Sequence, residues 1–99
     1  MRLIPDEKLV ADKIPSIHSD WEQINRFGHS FDGYAVMGMD EGARLANEAT
    51  PTTLRELRAV LFFELRRWRN NGYDPDEEAL AKFSWLLESI RQKVKDAPR

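Results

Sequence analysis

The stretch from Thr52 to Asn70 contains neither glycine nor proline, and this uninterrupted run constrains the fold more than any other feature of the chain. Thr50-Pro51-Thr52-Thr53 ahead of it offers N-caps, including a Thr53-to-Glu56 capping box, and Asn70-Asn71-Gly72 behind it forms a left-handed stop. A helix is predicted between them. At 100° per residue, Leu54, Leu57, Leu61, Leu65 and Trp68 make one seam, while Val60, Phe62 and Phe63 fall well off it. A helix that is apolar over most of its circumference must be surrounded, which places this one at the centre of an all-α fold.

The elements that surround it are legible in the same way. Asp74-Pro75-Asp76-Glu77 opens a last helix, with Asp74 as cap, Pro75 at the first helical position and acids in the first turn. Its Leu80, Phe83, Leu87, Ile90 and Val94 recur at three and four, and the short loop before it predicts an antiparallel hairpin with the central helix. Ser19-Asp20-Trp21-Glu22 reads as a capping box starting a first helix, on which Trp21, Ile24, Phe27, Gly28, Phe31 and Tyr34 share a face. Asp32-Gly33 ends that helix or is carried through it. Gly38 and Asp40 mark a turn and a fresh cap, and a short second helix covers 41–48. Residues 1–18, punctuated by Pro5 and Pro15, read as an arm docked on a body at 19–95, followed by a frayed tail at 96–99. The expectation is therefore a single domain of four helices with an N-terminal arm.

Composition narrows what such a domain does. Its 99 residues are enough for one domain, and 41% hydrophobic residues with ten aromatics support a real core. With no cysteine, disulfides, thiolate catalysis and cysteine zinc sites are excluded, and a cytoplasmic address fits best. The N-terminal segment lacks the apolar stretch of a signal peptide, and no run approaches the length of a membrane span. A net charge of −2 argues against a nucleic-acid binder held by bulk charge.

Five side chains on the central helix, Arg55, Arg58, Phe62, Arg66 and Arg69, line up at spacings of three and four and form the strongest functional clue. As a partner surface, planar guanidiniums around an aromatic are residue types enriched at hot spots. The structural alternative is a solvated face paired with the protein's own acids, notably Glu41, Glu48 or the cluster at 74–78. Residues 1–50 carry net −4 and residues 51–99 net +2, so those acids are able to mask the stripe. On the partner-surface reading, folding does not need these arginines. Trp85 points away from the last helix's seam, where cover by the arm or the first helix is the preferred reading and exposure as an interface anchor the alternative.

Glu64 falls inside the apolar arc of the central helix. It is read as a buried structural carboxylate bonded to an arginine or to a tryptophan or histidine donor, in preference to a catalytic acid or base, since no second carboxylate lies at i+3 or i+4. His18 and His29 are the only histidines and match no metal-ligand spacing. Glycines 28, 33, 38 and 42 match neither a phosphate loop nor a dinucleotide fingerprint and read as turn and packing glycines. No catalytic residue, cofactor or metal site is predicted. Glu41 to Ala49, a Thr-Pro turn and the helix opening Thr52-Thr53-Leu54-Arg55 make a loose helix-turn-helix at 41–69, although the turn lacks its usual glycine and the second helix is long and apolar.

Phe31-Asp32-Gly33-Tyr34, then Leu61-Phe62-Phe63-Glu64 running into Arg66-Arg67-Trp68-Arg69, and Asp74-Pro75-Asp76-Glu77, resemble strings found together in a group of small bacterial α-helical proteins with no assigned activity. The likeness spans about Trp21 to Val94. It implies a bacterial source and brings no catalytic residue. The function expected on these grounds is a non-enzymatic protein–protein interaction module: an adaptor, regulator or immunity-type protein. A DNA-binding regulator acting through 41–69 comes next, and an enzyme using Glu64 last.

Overall fold

The computed structural model describes residues 4–16, 18–31, 39–48, 50–72 and 74–96. Among the described residues it is all-α, with four helices: α1 Trp21–His29, α2 Met39–Glu48, α3 Leu54–Asn71 and α4 Glu77–Asp96, preceded by single 3₁₀ turns at Asp6–Lys8 and Ala11–Lys13. No strand occurs among the described residues. The radius of gyration is 12.3 Å, close to the roughly 13 Å of a compact domain of about 100 residues.

The helix α3 forms where its caps place it. Thr53 accepts from the Glu56 backbone N–H at 3.1 Å while the Glu56 carboxylate reaches back to the Thr53 N–H at 3.1 Å, satisfying donors that the first turn leaves unpaired. At the other end Gly72 takes φ 74°, the left-handed conformation glycine adopts without a side-chain penalty, and its N–H closes onto the Arg69 carbonyl. Between these ends α3 buries Leu57, Arg58, Ala59, Val60, Leu61, Phe62, Glu64 and Leu65. This helix is the central one.

Three starts differ from the sequence expectation. The helix α2 begins at Met39 and not at 41, so Asp40 lies within its first turn and is not its cap. The α1 cap is Asp20 and not Ser19: the Asp20 carboxylate accepts from Gln23 N–H at 3.0 Å and Gln23 returns the bond at 3.1 Å. The helix it starts buries Ile24, Phe27 and Gly28. The α4 cap is Asp76 and not Asp74, with Ala79 N–H donating to Asp76 Oδ1 at 2.8 Å. Tyr34, the Asp32-Gly33 step, Gly38, Ile17, Ala49 and the 97–99 tail lie outside the described residues.

Each surrounding helix reaches α3 differently. The helix α2 lies so close that a Cβ built on Gly42 would stand 2.3 Å from the Ala59 carbonyl oxygen and 2.7 Å from Phe63 Cβ. Only glycine permits that crossing. At Gly28 of α1 a Cβ would meet Leu65 Cδ1 at 3.1 Å, so the near neighbour is a side chain and not the backbone. Aromatic contacts extend this packing: Phe31 sets its edge against Phe27 at 4.8 Å and Phe62 at 6.0 Å, and Trp21 stands 5.7 Å from Phe83 of α4. The helix α4 buries Phe83, Leu86, Leu87 and Ile90. Ile4, Leu9 and Ile14 of the N-terminal segment join the same core.

Candidate functional site

The five residues aligned on α3 do not form one surface. Arg58 is 9% exposed, donates to the Ile4 carbonyl and pairs with Asp6 at 2.8 Å, while its Nε is buried without a hydrogen-bond partner. Burial pushes its pKa below the ordinary arginine value, Asp6 offsets part of that shift, and neighbouring Arg55 adds to it. A guanidinium keeps its proton regardless. Phe62 is 4% exposed, an aromatic of the core. Arg55 is exposed and bonds Glu41 of α2 at 2.8 Å, one of the internal pairings weighed from the sequence. Arg69 Nη2 lies 2.9 Å from His29 Nδ1. Arg66 is half-buried and forms no ion pair with a described residue. As an open surface the line is corrected at Arg58 and Phe62, which are buried. Helical spacing puts the five on one side of α3, but the N-terminal segment, α1 and α2 all pack there and divide it.

Glu64 is buried, its side chain 5% exposed, and its Oε1 bonds Lys82 Nζ of α4 at 3.2 Å with Arg67 farther off at 3.8 Å. The expected arginine is present as the longer ion pair, while the hydrogen-bond donor is a lysine that the sequence did not single out. Lysine serves because its flexible stem spans the α3–α4 interface while its ammonium keeps contact with water.

A polar groove of about 400 Å³ opens between α1 and the end of α3, lined by Trp21, Asn25 and His29 on one side and Trp68, Arg69 and Asn70 on the other, with Gly72 and Asp74 at its end. Guanidinium nitrogens only donate, so in its contact with Arg69 the His29 Nδ1 is the accepting side. Asn25 Oδ1 is buried without a hydrogen-bond partner. The sequence reading missed this groove. Its signal was Trp21, Asn25 and His29 at successive steps of four, a stripe on the border between the apolar and polar faces of α1. His18 is exposed, and among the described residues no group of three or more histidines, aspartates or glutamates is placed to hold a metal ion.

Trp85 is 46% exposed. The preferred expectation of a cover by the arm or α1 is corrected: α1 brings Trp21 to Phe83 on the core side of α4, and the N-terminal segment reaches α4 at Arg91. Around Trp85 on the outward face lie exposed Glu78, Ala81, Glu88 and Gln92, with Ser89 half-buried. No family model matches the chain, and no curated protein or solved structure is significantly similar to it.

Proposed function

We propose that the chain is a non-enzymatic interaction module of the bacterial cytoplasm, an adaptor, regulator or immunity-type protein, that meets a protein partner through the outer face of α4. The observation that carries this reading is Trp85, 46% exposed in the middle of a helix whose opposite side is fully buried. Small Ala81 and Ser89 lie one turn to either side, leaving the indole ring open to a partner. Covering the exposed half of an indole removes roughly 100 Å² from water, about 2.5 kcal/mol at 25 cal/mol per Å². That is the scale of a hot spot. No described helix is long and apolar enough to cross a membrane, and the reading needs no cofactor.

The DNA-binding alternative has less support. A helix reading a duplex groove needs a face free of its own protein, whereas α3 is enclosed and Arg55 and Arg58 are engaged by Glu41 and Asp6. An enzyme built on Glu64 would need a pocket beside its carboxylate.

The test uses the full chain with a photo-crosslinker at Ala81 or, as control, at Thr52, in extract of the source organism. A partner captured from position 81 and not from 52, and competed by excess wild type but not by Trp85→Ala, supports the reading. Melting of Trp85→Ala should stay within about 0.5 kcal/mol of wild type. Equal competition by Trp85→Ala, or a loss of several kcal/mol in stability, would sink it.

A further inference from the structure

The N-terminal segment is held as a bound peptide is held. Ile4, Leu9 and Ile14, each five residues from the last, are 2%, 1% and 4% exposed, with the two 3₁₀ turns bridging the gaps. Backbone bonds within the segment are local, from Lys8 to Pro5, Leu9 to Asp6, Lys13 to Val10 and Ile14 to Ala11. Among the described residues every hydrogen bond from the helices to the segment comes from two side chains. Arg58 of α3 donates to the Ile4 carbonyl and pairs with Asp6. Arg91 of α4 donates to the carbonyls of Ile14, Pro15 and, at 3.4 Å, Ala11. Both arginines grasp the carbonyl of an Ile-Pro step, Ile4-Pro5 and Ile14-Pro15. Proline holds the residue before it extended, so the same local shape, with isoleucine inward and its carbonyl toward a guanidinium, is read twice.

We propose that the trough beneath this segment, across α3 and α4, is an exchangeable peptide-binding site with the chain's own N-terminus as resident occupant. In trans it takes an extended segment of the same chemistry: two Ile-Pro steps ten residues apart, an apolar residue midway, and an acid two residues after the first isoleucine to meet Arg58. Charge favours such a ligand. Among the described residues Asp6 is the sole carboxylate paired with Arg58, and it arrives with the segment and not with the helices. The site is separate from the Trp85 face and stands or falls independently of it.

The probe is a fluorescent peptide of residues 1–18. An Ile4→Asp/Ile14→Asp chain, shown to be folded by circular dichroism, has a vacated trough and should bind the peptide saturably. Wild type should bind it at least tenfold more weakly, because the tethered segment competes at the millimolar effective concentration of a short linker. Adding Arg58→Ala and Arg91→Ala to the vacated chain should abolish binding. A folded, vacated chain that ignores the peptide overturns the proposal, as does equal binding to all three chains. A second measurement covers the case in which the vacated chain fails to fold. Val10 is 46% exposed, and the chain has no other cysteine, so a dye on Val10→Cys reports the segment alone. Millimolar unlabelled peptide should loosen that dye in the otherwise wild-type chain, and an Ile4→Asp/Ile14→Asp peptide should not. No loosening, or the same loosening by both peptides, rejects exchange.

Discussion

Replacing Gly42 by alanine sets helix propensity against packing. In a helix interior the change gains up to about 1 kcal/mol, since glycine loses more backbone freedom on folding. Here the new methyl carbon would sit 2.3 Å from the Ala59 carbonyl oxygen and 2.7 Å from Phe63 Cβ. Neither is the far end of a flexible side chain, so α2 itself must retreat by about 1 Å, a kind of overpacking that costs about 1–3 kcal/mol. The retreat also pulls on Leu45, 2% exposed and the buried aliphatic anchor of α2. A gap of 0.5–1 Å forfeits about a quarter to a half of its dispersion contacts, roughly another 1 kcal/mol. The net expectation is a loss of about 2 kcal/mol, or roughly 8–16 °C in Tm for a domain of this size. Thermal and guanidinium unfolding followed by circular dichroism measure it. Gly28→Ala is the internal control, because its methyl meets only the Leu65 branch, which can turn aside; it should stay within about 1 kcal/mol of wild type. A Gly42→Ala chain as stable as wild type would mean that α2 does not cross α3 at this residue.

Arg58→Glu should cost about 3–5 kcal/mol, since it buries a carboxylate beside Asp6 and a carbonyl, whereas Arg66→Glu should cost no more than about 0.5 kcal/mol; guanidinium midpoints of the two variants separate them. At the Glu64–Lys82 pair the more exposed partner should matter more. Lys82→Met leaves a charged carboxylate buried, at about 2 kcal/mol, while Glu64→Gln leaves an ammonium already 40% exposed and should cost about 1 kcal/mol or less. Bonds from Thr53 N–H first and Thr52 N–H second hold Glu56 below the ordinary glutamate value of 4.5. Its folded pKa is thus lower than its unfolded one, so its stabilisation is present above the ordinary value and lost as pH falls through the folded one. The Tm gap between wild type and Glu56→Gln should shrink over that acid window and stay constant above it.

The elements that could be read from the sequence are those specified locally. The Thr53–Glu56 box, the Gly72 stop and the enclosure of α3 each follow from residues within a few positions of one another. Two of the caps that moved, to Asp20 and Asp76, lay where neighbouring residues offered equivalent chemistry. Ser19 and Asp20 each have an acceptor three residues on, in Glu22 and Gln23, and Asp74 and Asp76 flank the same proline. The close crossing at Gly42 was foreseen as a packing glycine, but its neighbour, Ala59, was not. The arginine line failed for a related reason. A helical wheel says which residues share a side and nothing about which distant segment lies over it, and the group that claims Arg58 comes from Ile4 and Asp6 at the far end of the chain.

The charge asymmetry between the halves then acquires a structural cause. A segment of 3₁₀ turns with no strand partner leaves carbonyls that the body must satisfy, and buried carbonyls left unpaired are costly. Side-chain donors that reach across an interface and never lose their proton are the available solution, which is arginine. Arg58 and Arg91 in the basic half answer the N-terminal carbonyls, and Glu41 and Asp6 in the acidic half answer Arg55 and Arg58. These cross-half pairs consume the charges that looked free for a partner. Of the aligned arginines only Arg66 forms neither a hydrogen bond nor an ion pair with a described residue, and a single half-buried guanidinium is a poor recognition surface. On the proposed reading the partner meets an uncharged aromatic on the outer face of α4, Trp85, so partner binding should survive high salt. Loss of capture in moderate salt would return the arginines to the interface.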